Sequence, residues 1–559
     1  MANCLNDFFS KIGSDLTKNF TTNDEFMAYL PPPSTNSIYF PPVVASDLLL
    51  ELANLKTSKS LGPDNISPFI LKVAGPFLQQ PLLHIFNQAI IEGVFPEKLK
   101  HSRVIPIFKK GDKSLCSNYR PIALSSCISK LFERLIVKNL TSFINKNNIL
   151  FDYQFGFRKK FSTSLALMEV VNMINQETAN KKLILGIFID LQKAFDTVSH
   201  DILFYKLYNI GIRGNILRLI KSFLFNRKIF TFANGAYSED SSVLCGLPQG
   251  SVISPLLFLL YINDFHRALP QNKLKLFADD SNVFLIADTI ENLFIQGNAA
   301  LNSIQNWLDA NRLSLNVSKT NYIVFNPNVD IDLAITNSQL VLKINNQEIK
   351  RSQSVKYLGV ILNEKLDWTE QITTVCKHVT SYAGVFYKYK AYFEQSVSKM
   401  LYFSFIYSKI SYGIELYGLS SKSALKPLQT ACNRALRTLQ NKERLYPTKL
   451  LYSNYKSPPI MGLNRFKLYI LMHNCIFNPE LVPPVILALL NRNRDIHNHN
   501  TRNRLDFNLT ICNRFQRDPI FFGTHLWNKL PINIKQNGNL KTFKTAVLKL
   551  LLNDDDIFI

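Results

Sequence analysis

Apolar positions recur at three- and four-residue spacing in some stretches of this chain and crowd into short β-branched runs in others, and the two patterns predict its elements. Residues 46–55 repeat Leu48, Leu49, Leu52 and Leu55 at helical spacing behind a candidate N-cap, Ser46. Residues 69–91 read as helix broken by Pro76 and Pro81. Residues 102–108 (SRVIPIF) read as a strand leading into a basic turn at 109–112, and 128–144 as an amphipathic helix. Residues 183–191 (LILGIFIDL) are apolar except for Asp190, the pattern of a strand buried on both faces. Helix is expected over 200–224, interrupted at Gly211 and Gly214, and over 290–311. Residues 274–286 form two β-prone arms around Asp279-Asp280, a hairpin signal with that pair as the two-residue centre. Strand character returns at 314–325 and 355–362, and beyond residue 370 helix dominates. Strands and helices are mixed without a regular βαβ repeat, so the fold class is α+β.

The prolines at 31–33 and 41–42 set residues 1–45 apart as a leader without continuous helix, and 60–64 (SLGPD) reads as a turn. Residues 491–504 (NRNRDIHNHNTRNR) read as a polar, basic linker. A length of 559 residues suggests three to five structural units.

Charge narrows the partner. The chain carries 64 Lys and Arg against 41 Asp and Glu, and 26 of the former against 10 of the latter lie after residue 370. That basic final third predicts a polyanion, foremost nucleic acid, with a merely solvated face as the plain alternative. The eight cysteines include no C-x-x-C pair, which argues for a reducing compartment and against a disulfide framework. Cys475 and Cys512, with His473, His497 and His499 nearby, fit no zinc spacing. The first residues lack a signal-peptide pattern. Residues 241–263 carry no charge, yet their unbroken apolar run is only 256–262, against about 20 residues needed to cross a bilayer. No membrane association is expected.

Three carboxylates are the candidate chemistry. Asp190 ends a buried strand, and Asp279 and Asp280 sit together at a hairpin tip. Acids so close to a core are unfavourable unless a cation compensates them, and neighbouring acids raise each other's pKa. Mg²⁺ takes oxygen ligands from one or two carboxylates plus substrate phosphates. Two such ions roughly 3.5–4 Å apart can hold both oxygens of an in-line phosphoryl displacement. An Asp-Asp pair alone is more often a solvated turn.

The surrounding blocks carry a resemblance. Residues 60–64 (SLGPD), 105–112 (IPIFKKGD), 118–126 (NYRPIALSS), 154–158 (QFGFR), 188–198 (FIDLQKAFDTV), 246–251 (GLPQGS) running on to 261–264 (YIND), 277–280 (FADD), 315–320 (LNVSKT) and 356–360 (KYLGV) stand in one order. In that order they resemble the reverse transcriptases of non-LTR (LINE-type) retrotransposons, close to the jockey-like group. The resemblance covers roughly residues 45–450.

It implies a right-hand polymerase. The expected layout is a leader at 1–45, an N-terminal extension at 46–89, fingers and palm with an antiparallel sheet at 90–362, a helical thumb at 365–450 and a basic C-terminal region at 451–559. It implies that Asp190, Asp279 and Asp280 hold two Mg²⁺ ions, with Mn²⁺ as an alternative. Lys319 would protonate the pyrophosphate leaving group, and Arg120, assisted by Lys109 and Lys110, would clamp the triphosphate. Phe195 would exclude a 2′-hydroxyl by clash. Gln249 would meet the incoming nucleotide, with Gly246 and Gly250 allowing close backbone approach. Tyr357, Leu358 and Gly359 would form the primer grip. Asp196 and Asp264 would be structural. Ser254 stands where many relatives carry Gly.

The implied partners are an RNA template, a DNA primer and dNTPs. Nuclear residence is implied by the family alone. The family's usual endonuclease is expected to be absent and supplied, if at all, by another protein, and no zinc knuckle is visible. Two rivals remain on sequence alone: a catalytically silent nucleic-acid-binding remnant and a group II intron maturase-like protein.

Overall fold

Seven consecutive buried residues make Leu183–Ile189 the middle of a five-stranded sheet. The structure is a computed structural model describing residues 1–17, 20, 24–57, 61–269, 274–326, 340–490, 505–507 and 518–558. The strand order is Lys350–Arg351, Asn321–Phe325, Leu183–Ile189, Asp280–Ala287, Leu274–Phe277. The central strand is antiparallel to both neighbours. Its unbroken apolar run follows from serving two cores. Leu185, Ile187 and Ile189 join Leu131, Phe132, Phe258 and Trp307 on one face, and Ile184 and Phe188 join Tyr357, Trp368 and the later helices on the other.

A second sheet carries the basic turn. His101–Phe108 pairs antiparallel with Tyr119–Ser125 and parallel with Arg227–Ala233, which also pairs with Ala236–Tyr237 and Ser241–Val243. From residue 369 on, the described chain is helical, led by Thr369–Tyr389 packed on Lys422–Leu439, then Ile460–Phe477, Pro519–Asn528 and Leu540–Asn553. The α+β expectation therefore holds. Among the described residues no helix is long and apolar enough to cross a membrane.

Several local expectations are corrected. The stretch read as a leader contains the helix Ala2–Thr17, whose Leu5 and Phe9 pack on Val104, Tyr119 and Ile229 of the second sheet. Its buried Asn6 donates to Glu239 O at 2.9 Å and Ser241 Oγ at 2.8 Å and accepts from Thr231 Oγ1 at 3.0 Å. Pro68–Glu92 is one helix running through Pro76 and Pro81. Both prolines lie on its exposed side, where water takes up the carbonyls they cannot serve. The next helix upstream is Ala45–Ala53, with Val44 rather than Ser46 at the cap position and no side-chain cap. Of residues 314–325 only Asn321–Phe325 is strand. Ser60, Cys512, His497, His499 and the linker at 491–504 lie outside the described residues.

Candidate active site

The strand register brings the acids to one end of the first sheet. Ile189 pairs with Ser281, so Asp190 leaves its strand beside the position where Asp280 begins the neighbouring one. Phe277 pairs with Asp280, so the turn residues are Ala278 and Asp279, one position earlier than the pattern suggested. Ala278 adopts a left-handed φ of 57° to close that turn. Asp190 is fixed through its backbone: its N–H reaches Thr320 Oγ1 at 3.3 Å and its carbonyl accepts from Asn316 N at 2.8 Å.

The electrostatics link these groups with three cations. Lys319 Nζ lies 3.3 Å from Asp190 Oδ2, both side chains about half exposed. The Asp279 and Asp280 side chains open to solvent above a densely packed sheet. Desolvation by that protein mass, then repulsion from Asp279 and Asp190, raises the Asp280 carboxyl to about 6. Asp279 is also raised, first by desolvation and then by Asp190, against the opposing pull of Arg120 and Lys109. Lys109 is lowered, by desolvation and then by Arg120 and Lys319. Arg120 stands opposite Ile107 at the end of the strand pair that holds the basic turn.

Gln249 lies against Ala123, on the same strand as Arg120. Its Nε2 donates to Asp196 at 2.9 and 3.1 Å, and its carbonyl accepts from Ala123 N at 2.8 Å. Gly250 (φ 115°) lies so close to Ala123 that a Cβ would fall 2.5 Å from its carbonyl oxygen. Phe195 stacks on Phe258 at 4.4 Å, and its carbonyl accepts from Leu247 N at 2.7 Å. The structure thus brings Asp190, Asp279, Asp280, Lys319, Lys109 and Arg120 into one electrostatic cluster. It places the Gln249 amide on Asp196.

Residues 107–362 match the family described as "Reverse transcriptase (RNA-dependent DNA polymerase)". Residues 107–362 form a reverse transcriptase domain. Three relatives, all from Drosophila melanogaster, are each 26% identical to the chain. The RNA-directed DNA polymerase from mobile element jockey aligns with 77% of this chain and 48% of its own length. The probable RNA-directed DNA polymerases from transposon BS and from transposon X-element each align with 75% of this chain, and with 47% and 46% of their own lengths. The chain spans about half the length of the curated relatives it matches.

Two carboxylates support the 246–251 loop of the reverse transcriptase domain, and one of them escaped sequence reasoning. Glu133 is buried with no cation paired to it among the described residues, yet its Oε2 accepts from Ser251 Oγ at 2.5 Å, Val252 N at 2.6 Å and Ile253 N at 3.2 Å, and its Oε1 from Ser129 Oγ at 3.2 Å. Burial pushes its carboxyl up, as it does for Asp196. The only available signal was an acid between Phe132 and Ile136 on the apolar face of the helix Cys127–Lys146. Arg227, buried and lowered to about 10, donates to Gly246 O at 2.8 Å, and His200 Nε2 meets the same oxygen at 2.9 Å. Asp264 pairs with buried Lys206 at 2.6 Å, the structural role expected of it.

Tyr357, Leu358 and Gly359 form the tip of the hairpin Ser354–Tyr357/Val360–Asn363. Tyr357 is buried against Phe188, and the Tyr412 hydroxyl donates to Leu358 O at 2.5 Å, tying the tip to the helical half.

The donor set suits a divalent ion in its chemistry: hard oxygens whose mutual repulsion Lys319, Arg120 and Lys109 offset only in part. Among the described residues, no three acidic, histidine or cysteine side chains are gathered as a ready-made ion site.

Proposed function

We propose that this chain is an RNA-directed DNA polymerase that joins a primer 3′-hydroxyl to the α-phosphate of a dNTP on an RNA template. The observation that carries the proposal is the meeting of Asp190 with the Asp279–Asp280 hairpin at one sheet end, faced by Lys109, Arg120 and Lys319. In this reading the first sheet is the palm, the sheet with the basic turn is the fingers, and the helices after residue 369 begin the thumb.

Asp190, Asp279 and Asp280 would hold a pair of Mg²⁺ ions, or Mn²⁺ in their place. The bound ions would supply charge neutralisation and a more acidic primer hydroxyl. Arg120 and Lys109 bind and orient the triphosphate through charge-assisted hydrogen bonds. Lys319 holds a proton at Nζ for the departing pyrophosphate. The Phe195 ring fills the space beside the sugar and discriminates against a 2′-hydroxyl. Gln249 and Gly250 shape the wall of the nucleotide pocket, with Asp196 fixing the Gln249 amide. The Tyr357–Gly359 tip holds the primer end. The basic last third binds template and primer through phosphates, so affinity falls steeply with salt.

Primer extension on poly(rA)/oligo(dT) with Mg²⁺ tests the proposal, comparing wild type with Asp279→Asn/Asp280→Asn. Incorporation by wild type alone is expected. Equal incorporation by both proteins, or none by wild type, would leave only a nucleic-acid-binding remnant.

A further inference from the structure

The outer strand of the Asp hairpin, Leu274–Phe277, is the edge of its sheet, and a separate segment braces it. Phe155 N donates to Leu276 O at 2.8 Å and Leu276 N to Tyr153 O at 3.0 Å, so residues 153–155 pair with that edge as a short extra strand would. Lys275 reaches out to a buried ion pair with Glu169 at 2.8 Å and lies over the Tyr153 ring.

One side chain extends this bracing to the turn itself. Gln154 is 1% exposed, and its Oε1 accepts from Gly156 N at 2.8 Å and from Ala278 N at 3.0 Å. Two backbone donors on one oxygen fix which way the amide faces; its Nε2 has no partner among the described residues. Gly156 presses on the same place, since a Cβ there would fall 2.2 Å from Ala278 N. Ala278 is the left-handed residue directly before Asp279. A side chain that holds the amide of a strained turn residue sets the orientation of the next one.

We propose that Gln154 is a positioning residue that, through the Ala278 amide, fixes the Asp279 carboxylate in the orientation needed to bind a divalent ion. The inference rests on the polymerase reading of the three carboxylates. Gln154 touches neither nucleotide nor ion; it acts by removing freedom from the turn. Gly156 belongs to the same device, because its missing side chain lets the 153–156 segment lie against the hairpin.

The test uses the full chain and three variants: Gln154→Met, which keeps the volume and removes the acceptor; Gln154→Glu, which keeps an acceptor oxygen; and Gly156→Ala, which pushes on Ala278 from the other residue. Hydrogen–deuterium exchange by mass spectrometry reads the turn without any ion, over peptides covering residues 274–282. Electron paramagnetic resonance reads Mn²⁺ binding to the free protein, and circular dichroism reports whether each variant folds. Faster exchange and an Mn²⁺ dissociation constant raised about tenfold are expected for Gln154→Met and Gly156→Ala, with partial recovery in Gln154→Glu. Folded Gln154→Met and Gly156→Ala proteins with wild-type Mn²⁺ affinity would overturn the inference and leave the polymerase reading standing. Misfolding of Gln154→Met and Gly156→Ala with a folded Gln154→Glu of wild-type affinity would assign Gln154 a purely structural role, which also overturns it. Wild-type protein that binds no Mn²⁺ and extends no primer would remove both.

Discussion

The Asp hairpin and the 246–251 loop, both assigned to the proposed active site, are built on different plans. At the hairpin the exposed groups are charged, and the turn that carries them is held by neutral contacts, backbone pairing and the Gln154 amide, with the one buried ion pair described there, Lys275–Glu169, set back on the outer strand. At the loop the half-buried group is the neutral Gln249, and the supports are acids, the buried Glu133 and the half-buried Asp196, with Arg227 nearby. A charge at the surface of a rigid neutral frame can be deleted with little effect on folding. A buried charge that gathers several donors cannot, because its removal strands them in the core. The difference separates residues retained for chemistry from residues retained for shape.

The strongest contrast is expected at the two acid sets. Asp279→Asn/Asp280→Asn should lower incorporation by roughly a thousandfold or more, while the urea midpoint stays level or rises as the repulsion between the acids is relieved. A lowered midpoint would show that the hairpin charges also hold the fold. Glu133→Ala should do the reverse first, losing about 3 kcal/mol of stability in urea titrations because four donors, Ser129, Ser251, Val252 and Ile253, lose their acceptor. Unchanged stability would break the comparison at its other end.

Acidity sharpens the same contrast. The Asp280 proton leaves near pH 6, so above that value the carboxylate is free for a cation, and below it the proton competes. Mn²⁺ affinity should therefore fall by up to about tenfold per pH unit below 6, and Asp280→Asn should flatten that dependence. An Mn²⁺ affinity independent of pH between 5 and 7 would remove Asp280 from the ion site. Phe195→Ala should raise rNTP use about tenfold in competition assays, and unchanged sugar selectivity would end its gate role. The smallest effect belongs to Lys319→Ala, whose half-exposed pair with Asp190 should change stability by under about 1 kcal/mol.

Much of this was readable from residue order. The continuous apolar run at 183–189, the paired β-prone arms after 274 and the helical final third all follow from periodicity, and the structure carries each. The turn was misplaced by one residue because Ala278 takes a left-handed conformation that sequence assigns to Asn, Asp or Gly. Pro76 and Pro81 were read as breaks because nothing local says that both face water. Glu133 and Gln154 were invisible as supports for another reason: their partners lie 118 and 124 residues away, at Ser251 and Ala278. Periodicity reports which face of an element is buried; it does not report which distant amide a buried polar group will meet.

The helix Ala2–Thr17 has a practical corollary for anyone dissecting this molecule. Its Gly13 sits where a Cβ would fall 2.0 Å from the Asp196 carbonyl oxygen, immediately behind the Gln249 amide. A fragment cut at residue 107, where the family match starts, would strip that backing away, remove Val104 and bare Tyr119 and Ile229. Homology boundaries and foldable boundaries are different objects here, and useful expression clones will be those that keep the first seventeen residues.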